Sequence, residues 1–384
     1  MIKRLKNLDI GIPCILASIY FFALPLTITI NAAGNSFLKL LTIPIAICLV
    51  VSLFLYKDKL ELNIIHLISI PFLISVVITL FADHNIESLQ YVRGYIETIV
   101  LLFLISLRKY TTDEIKAFEF TQLLLLAVMI MLGFTGAGWG GDRNSMTLFG
   151  ATSDPNYFVG FFLLPMAVAL KKMKESKTYM LVCMPMVILG AYIALTSGSR
   201  GGLFALTVMI ISFVLIDTKE TKKKLVNIAV AAVAAIILWV VVMPILPEEV
   251  FSRLSIKELI ESRGTGRGDI WLSMLDEIKN STWELFCGRG IMAYHEMMMN
   301  GKLVTVVAHN QFIQSLYNQG IFGFAAFMLL SLAAVLRNVK KRGYISAAML
   351  GMLALSMTLS ISPSIKAFWN LLIYAALSFE STKK

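Results

Sequence analysis

Long apolar runs separated by short polar segments dominate this chain. Many of the runs are roughly 17–25 residues long, enough to cross about 30 Å of hydrocarbon as a helix. A membrane β-barrel would show short alternating strands instead, so the pattern predicts a bundle of transmembrane helices. Twelve spans are predicted, at residues 10–30, 37–56, 64–82, 95–107, 118–137, 156–170, 178–196, 202–216, 225–245, 311–336, 345–361 and 367–381.

Basic residues return at every second loop between these spans. Most of the 34 Lys and Arg lie in such alternate loops, for example at 171–177, 219–224 and 337–342. This is the distribution that the positive-inside rule predicts for cytoplasmic loops. Several of the runs are short, notably 95–107 and 156–170, but the alternation of the loops requires a crossing at each. An even number of spans places both termini in the cytoplasm.

We therefore predict an all-α fold, a polytopic transmembrane helical bundle of about 12 spans with one long, partly helical outer loop. Residues 1–245 would hold spans 1–9, and residues 246–308 the large periplasmic or extracellular loop with its amphipathic helices. Residues 309–384 would hold spans 10–12.

Composition narrows the function. With 58% hydrophobic and 15% charged residues, the chain has too much apolar surface for a soluble globular protein. The net charge of +10 is explained by the cytoplasmic loops, so no nucleic-acid partner is expected. None of the four cysteines forms a CxxC pair and carboxylates are scarce, so we predict no metal site and no cofactor.

The segment AHNQFIQSLYNQGIFG, residues 308–323, brings a lone histidine to the start of a span. Asn310, Gln314 and Asn318 follow His309 on a helical face. Lipid would leave these amides unsatisfied, so a wet or protein-filled cavity is predicted beside them. A neutral imidazole can accept a hydroxyl proton near pH 7, so His309 is a candidate general base. The alternative is an interfacial histidine that only forms hydrogen bonds.

The turn TSGSRGG, residues 196–202, places Arg200 in an outer loop. The positive-inside rule favours arginine in cytoplasmic loops, so the rule does not explain an arginine in this outer loop. A guanidinium fork matches phosphate oxygens, and the neighbouring glycines suggest close approach to a ligand. The alternative is an arginine that reaches the interface and caps helix carbonyls.

The long outer loop contains RGTGRG, residues 263–268, between two predicted helices. Its Arg263 and Arg267 are candidate phosphate ligands. In the second helix Ile270, Met274 and Ile278 share one face, which predicts an amphipathic helix that lies on the membrane or caps the bundle.

A further outer loop holds Arg143 in RNSMTLFGATSDPNYF, residues 143–158. Arg143 can bind substrate or pair with Asp142 or Asp154, and the sequence leaves both readings open. Within DPN, Asp154 is predicted to cap the helix that begins near Asn156.

At these motifs the chain resembles the O-antigen ligase and O-antigen polymerase superfamily of bacterial membrane glycosyltransferases. The similar segments are residues 143–158, 196–202 and 308–323, together with GRGDIW at 266–271 and FCGRG at 286–290. The resemblance implies transfer of a glycan from undecaprenyl diphosphate, without metal and with inversion. It implies His309 as the base, with Arg200, Arg267 and Arg143 on the diphosphate. Further candidate contacts are Arg263, Arg289, Asn310, Gln314 and Asn156.

We therefore predict a polymerase of O-antigen, capsule or exopolysaccharide repeat units. One alternative is an O-antigen ligase that transfers the glycan to lipid A core. An alternative of a different class is a transporter or flippase of lipid-linked oligosaccharides, and a structural subunit of an envelope complex is a further one. The expected partners are the undecaprenyl-diphosphate-linked oligosaccharide, membrane lipid and a chain-length regulator protein. The expected location is the bacterial inner membrane, with the site facing the periplasm or the outside.

Overall fold

The structure is a computed structural model of the chain. It describes residues 10–29, 36–56, 60–83, 85–135, 144–149, 151–218, 220–242, 246, 248–254, 267–299, 302–363 and 365–379. The first helices are α1 (Ile12–Phe22), α2 (Phe37–Tyr56), α3 (Ile64–Ile78), α4 (Ile86–Ser106), α5 (Thr112–Thr135), α6 (Pro155–Gly160), α7 (Leu163–Met173), α8 (Lys177–Thr196) and α9 (Arg200–Asp217). They are followed by α10 (Thr221–Val242), α11 (Glu248–Leu254), α12 (Arg267–Ile278), α13 (Thr282–Cys287), α14 (Gln311–Asn338), α15 (Gly343–Ser356) and α16 (Lys366–Ala376).

In the part of the chain that the structure describes, the strands are short and form three two-stranded ladders. They are β1 (Lys109–Tyr110), β2 (Thr147–Leu148), β3 (Ala151–Thr152), β4 (His295–Met299), β5 (Lys302–Val306) and β6 (Ser378–Phe379). Strands β1 and β6 pair in parallel, whereas β2 with β3 and β4 with β5 form antiparallel hairpins.

Within the described residues, each of the twelve predicted runs contains helix, so the chain is a multi-pass helical membrane protein. Within the described residues, seven helices are long and apolar enough to cross a membrane: Phe37–Leu55, Ile64–Phe81, Ile86–Ser106, Thr112–Thr135, Lys177–Thr196, Arg200–Asp217 and Gln311–Asn338. Two further apolar helices, Ile12–Phe22 and Gly343–Ser356, are shorter. The prediction of a mostly helical, multi-pass membrane fold is confirmed, whereas the number of spans and the side of the termini stay predictions.

Several predicted boundaries are wrong. The segment 83–94 was expected to be an outer loop, but α4 begins at Ile86, where Asn85 accepts a hydrogen bond from the Ser88 amide. The predicted span 156–170 is divided into α6 and α7. Helix α15 ends at Ser356, so residues 357–362 form an irregular segment instead of a last turn. Polar residues in the first turns of α4 made that helix look shorter than it is.

Helices α9 and α15 pack closely through small residues. A Cβ on Gly351 would lie 2.8 Å from the Ala205 carbonyl oxygen, and one on Gly201 would lie within 2 Å of the Thr358 hydroxyl. Small residues let helix backbones approach in membrane proteins, where van der Waals packing rather than the hydrophobic effect holds helices together. Gly201 and Gly202 of TSGSRGG therefore allow close packing of this turn against Thr358 and Val159, and the close approach to a ligand stays a prediction.

Helix α14 contains a break that positions the outer loop. Gly320 has φ 65° and ψ −166°, so the helix is interrupted between its polar first part and its apolar second part. The freed carbonyls of Tyr317 and Asn318 accept hydrogen bonds from the Arg289 and Gly290 amides, at 3.0 and 3.1 Å. The FCGRG segment is thus held on α14 by backbone bonds.

Two glycines face each other at this junction. A Cβ on Gly320 would lie 2.3 Å from the Phe286 carbonyl carbon, and one on Gly288, which has φ 80°, would lie 2.2 Å from the Asn318 carbonyl oxygen. Both positions need positive φ and direct contact between backbones. Only glycine meets both requirements.

Replacing Gly320 with alanine should destabilise the protein. Positive φ alone costs a residue with a side chain roughly 1–2 kcal/mol, and the overlap with the Phe286 backbone adds to that cost. Thermal unfolding in detergent would show a lower midpoint. Gly268→Ala is the matched control, because a Cβ there meets nothing within 4 Å. Equal midpoints for the two variants would contradict this account of the junction.

The predicted amphipathic helix of the outer loop caps the bundle. Helix α12 buries Ile270, Met274 and Ile278 in a small hydrophobic cluster with Ala308 and Tyr317. Of the two placements predicted for this helix, the structure therefore shows the cap. This packing brings the N-terminus of α12 to the start of α14.

Candidate functional site

His309 lies immediately before α14 in an unusual backbone conformation. Its φ is +46°, in the left-handed region that few residues with a side chain adopt. The next residue, Asn310, is the N-cap of α14, and its side chain accepts from the amides of Phe312 at 2.9 Å and Ile313 at 3.4 Å. Asn310 was predicted as a substrate contact, but these bonds give it the role of a helix cap.

Burial and two charged neighbours set the protonation of His309. Burial lowers the pKa of the imidazole from its usual value near 6.5, and the Arg267 guanidinium lowers it further. The Asp154 carboxylate acts in the opposite direction and raises the pKa. The net pKa lies below the usual value, so the ring is neutral near pH 7. Neutral imidazole is the form that a general base requires.

Arg267 reaches this place because α12 is fixed against the start of α14. It is the first residue of α12, and Trp271, one turn later, donates its indole N–H to the Ala308 carbonyl at 2.8 Å. That carbonyl belongs to the residue just before His309. The structure therefore brings together two of the predicted site residues, His309 and Arg267, which lie more than 40 positions apart.

Arg200 is the first residue of α9, and its turn is bonded to the segment that holds Asp154. Ser199 caps α9 by accepting from the Gly202 amide at 2.9 Å, and its hydroxyl donates to Asn156 Oδ1 at 2.6 Å. Asn156 in turn donates from Nδ2 to Asp154 Oδ1 at 3.0 Å. Asn156 therefore joins the Arg200 turn to the neighbour of His309.

The DPN segment itself is ordered by Asp154. This residue is the N-cap of α6, as predicted, and accepts from the Asn156 amide at 2.7 Å. Further along the same loop, Asn144 donates from its backbone and side chain to Thr196 at 3.1 and 2.9 Å. These bonds hold the loop against the TSGSRGG turn.

A cavity of about 240 Å³ opens beside His309, along the polar face of α14. It confirms the cavity that the amides of this face predicted. Its lining includes Gln311, Gln314 and Asn318. Gln314 accepts from the Ala308 amide at 2.9 Å and donates to Asn318 Oδ1 at 2.8 Å. Neither Arg200 nor Arg267 lines this cavity, so the cavity does not by itself bring His309 together with the two arginines.

Arg289 forms ion pairs within the outer-loop region and does not line the cavity. Its guanidinium forms ion pairs with Glu277 and, at 3.7 Å, with Glu284. Glu277 also accepts from the Tyr317 hydroxyl at 2.9 Å and contacts His295 Nδ1 at 2.6 Å. This network joins α12, α13 and α14. The contacts do not support the prediction of a substrate contact for Arg289 and give it a structural role instead.

Two of the predicted arginines, Arg143 and Arg263, lie outside the residues that the structure describes. The same holds for the first of the two helices predicted in the outer loop. These assignments stay predictions from the sequence.

Sequence reasoning missed the aromatic part of the site. The cavity is also lined by Tyr91 and Tyr95 of α4, Tyr157 of α6 and Tyr294 before β4. Tyrosines are common at membrane interfaces, so the positions of these four in the sequence do not predict that they line a cavity. The sequence did carry a signal for Tyr157, because it directly follows the DPN motif.

Comparison with known proteins identifies part of this region. Residues 185–328 match the family model described as O-antigen ligase. The match contains the TSGSRGG turn, the start of α12, the FCGRG segment and the His309 segment. It confirms the resemblance to the O-antigen ligase and O-antigen polymerase superfamily that the motifs predicted. No curated protein matches the chain.

Proposed function

We propose that this chain, which carries an O-antigen ligase family domain, is a glycosyltransferase that polymerises repeat units of a cell-surface polysaccharide. The donor would be a glycan on undecaprenyl diphosphate, and the acceptor a sugar hydroxyl of another repeat unit. The observation that supports this most is the placement of neutral, solvent-accessible His309 beside Arg267 and Asp154 at the mouth of a polar cavity.

His309 would act as the general base. A ring nitrogen takes the proton of the acceptor hydroxyl while that oxygen bonds to the anomeric carbon of the donor. The bond from this carbon to the diphosphate oxygen breaks, and the diphosphate leaves with the electron pair. Attack opposite to the leaving group inverts the anomeric centre. A positioned base of this kind contributes about 10²–10⁴ to the rate.

Arg200 and Arg267 would hold the diphosphate. Each is the first residue of a helix, where the helix dipole disfavours a cation and favours an anion. The helix dipole therefore does not explain a positive charge at either position. Helix N-termini and guanidinium groups together form a favourable site for phosphate oxygens. Arg143, in the loop that is bonded to the Arg200 turn through Asn144, is proposed as a further contact.

The reaction would take place at the outer face of the bacterial inner membrane. The charge pattern puts the loops that carry His309, Arg200 and Arg267 on the side away from the basic loops. The carrier lipid would reach them through the membrane. A chain-length regulator protein remains a proposed partner.

A ligase is the second candidate, because the family model that matches the chain is described as O-antigen ligase. In that case the acceptor is lipid A core instead of a repeat unit. A flippase would place its functional residues near the middle of the membrane, between two related halves. The gathering of motif residues at one end of the bundle favours an enzyme over a flippase.

The test is to incubate the purified protein with a lipid-linked repeat unit alone. A polymerase should produce a ladder of products that differ by one repeat unit on a gel. A single product that forms only after core lipid is added would identify a ligase. Translocation across a liposome membrane without any growth of the chain would overturn the enzymatic proposal.

A further inference from the structure

The cavity beside His309 is electrically neutral. Among the described residues that line it, tyrosines, amides, serines and aliphatic side chains accompany His309, and there is no Lys, Arg, Asp or Glu. An anionic diphosphate would lose its hydration there without gaining a counter-charge, which is costly. The cavity therefore suits a neutral polar group, and neither Arg200 nor Arg267 is among the residues that line it.

The volume of the cavity limits what it can hold. Clefts that bind drug-sized ligands measure roughly 300–1,000 Å³, whereas this one measures about 240 Å³. A single sugar ring fits this space better than an oligosaccharide does. The rest of a longer glycan would extend out of the opening.

Tyrosines from separate elements contribute to the lining of the cavity. Tyr91 and Tyr157 are partly buried, and Tyr294 is 51% exposed. The fourth, Tyr95, is 3% exposed and donates its hydroxyl to the Ile361 carbonyl at 3.2 Å. A tyrosine ring offers an apolar face with a polar tip. A sugar ring complements it, because the ring faces carry C–H groups that can pack on the aromatic ring and the edge carries hydroxyls that can form hydrogen bonds.

The side-chain amides that line the cavity are held by hydrogen bonds. The side chain of Asn318 donates to the Ile291 carbonyl at 2.6 Å, and that of Gln311 donates to the Ser315 hydroxyl at 2.7 Å. Gln311 also accepts from the Ile361 amide at 2.5 Å. Each side-chain amide nitrogen carries two protons, and these bonds use one of them. Preformed donors lose little freedom when they bind a hydroxyl oxygen.

We infer that this cavity is the acceptor subsite and binds one neutral sugar ring, the terminal sugar of the acceptor glycan, with its reacting hydroxyl at His309. This inference rests on the proposed function. It assigns Tyr91, Tyr157 and Tyr294 as residues that select the acceptor. Donor and acceptor then lie on opposite sides of the histidine, the donor diphosphate toward Arg267 and the acceptor sugar in the neutral cavity.

The test separates binding of the acceptor from binding of the donor. The probe is the repeat-unit oligosaccharide released from its lipid, which can accept but cannot donate. It is titrated against a fixed amount of labelled lipid-linked repeat unit, with the full-length protein in lipid nanodiscs. Tyr157→Leu and Tyr294→Leu should raise the KM for the released oligosaccharide about tenfold or more. They should leave the KM for the lipid-linked donor within a factor of about two.

Tyr179→Leu is the matched control. Tyr179 lies near the start of α8, at the end of that helix away from the Arg200 turn, and is 42% exposed. Both KM values should be unchanged in this variant. The unchanged donor KM in the cavity variants shows that they are folded. If the chain proves to be a ligase, the same titration uses released core oligosaccharide as the acceptor.

Three results would overturn the inference. Unchanged acceptor KM values in both cavity variants would refute it and leave the proposed function intact. An acceptor sugar that carries a carboxylate, found by chemical analysis of the repeat unit, would contradict a neutral subsite. A wild-type protein that transfers no glycan to either acceptor would refute the proposed function, and this inference with it.

Discussion

Replacing His309 with asparagine should lower the rate of glycan transfer by about 10²–10⁴, the contribution of a positioned general base. Asparagine is the informative choice because His309 has φ +46°, and asparagine tolerates this left-handed conformation better than alanine does. The substitution therefore removes the base and keeps the backbone at the start of α14. Transfer is measured with purified protein and labelled lipid-linked repeat unit.

His295→Asn provides the contrast. The His295 ring contacts Glu277 at 2.6 Å and the Ser273 hydroxyl at 2.8 Å, and it does not line the cavity. Its replacement should lower the thermal midpoint of unfolding and leave the turnover of the folded protein close to that of the wild type. If His309→Asn transferred glycan within about threefold of the wild-type rate, His309 could not be the base.

Replacing Arg267 with glutamine should have the second-largest effect, a loss of about 10²-fold or more in rate, because a charged contact to the leaving diphosphate is removed. Lys279→Gln is the matched control. Lys279 lies just beyond the end of α12, has a 66% exposed side chain and pairs only at the surface with Asp276, at 3.0 Å. Its replacement removes a positive charge near the same helix and should leave the rate unchanged.

The same variant should also shift the pH dependence of the reaction. The Arg267 charge lowers the pKa of His309, so its removal raises that pKa and moves the acid limb of the rate profile to higher pH. Asp154→Asn should move the limb to lower pH, because the carboxylate raises the pKa. Asparagine still caps α6, so the local fold is kept. Shifts of the same sign in both variants would contradict the placement of these two charges around His309.

The sequence predicted the helices well because lipid imposes a simple requirement on the backbone. Each backbone amide in hydrocarbon must be bonded within its own segment, so a long apolar run can only form helix. The prediction was weaker where polar residues continue a helix. Helix α4 begins at Ile86, so it includes Arg93, which forms an ion pair with Glu97 at 2.7 Å. Arg93 lies in the segment 83–94, which the pattern assigned to a loop, whereas Glu97 lies in the predicted span 95–107.

The sequence also predicted a cavity beside His309 and the cap at Asp154, because both follow from neighbours along the chain. The break at Gly320 was not predicted. Glycine is common in the apolar helices of membrane proteins, so its presence in a sequence does not show that the helix is broken there. The positive φ of Gly320 is known only from the structure, where the backbone of the FCGRG segment, including Gly288, packs directly against α14.

A helical membrane protein with a histidine at the start of a polar helical face could be predicted from the sequence alone, because hydrophobic periodicity and the cost of polar groups in lipid depend on neighbouring residues. The side chains that surround that histidine are known only from the folded structure. Arg267 and Asp154 reach it through the packing of α12 and the bonds of the DPN loop, whereas Arg289 is drawn into ion pairs with Glu277 and Glu284. Contacts between residues far apart in the chain depend on how whole helices pack, and local sequence patterns do not contain that information.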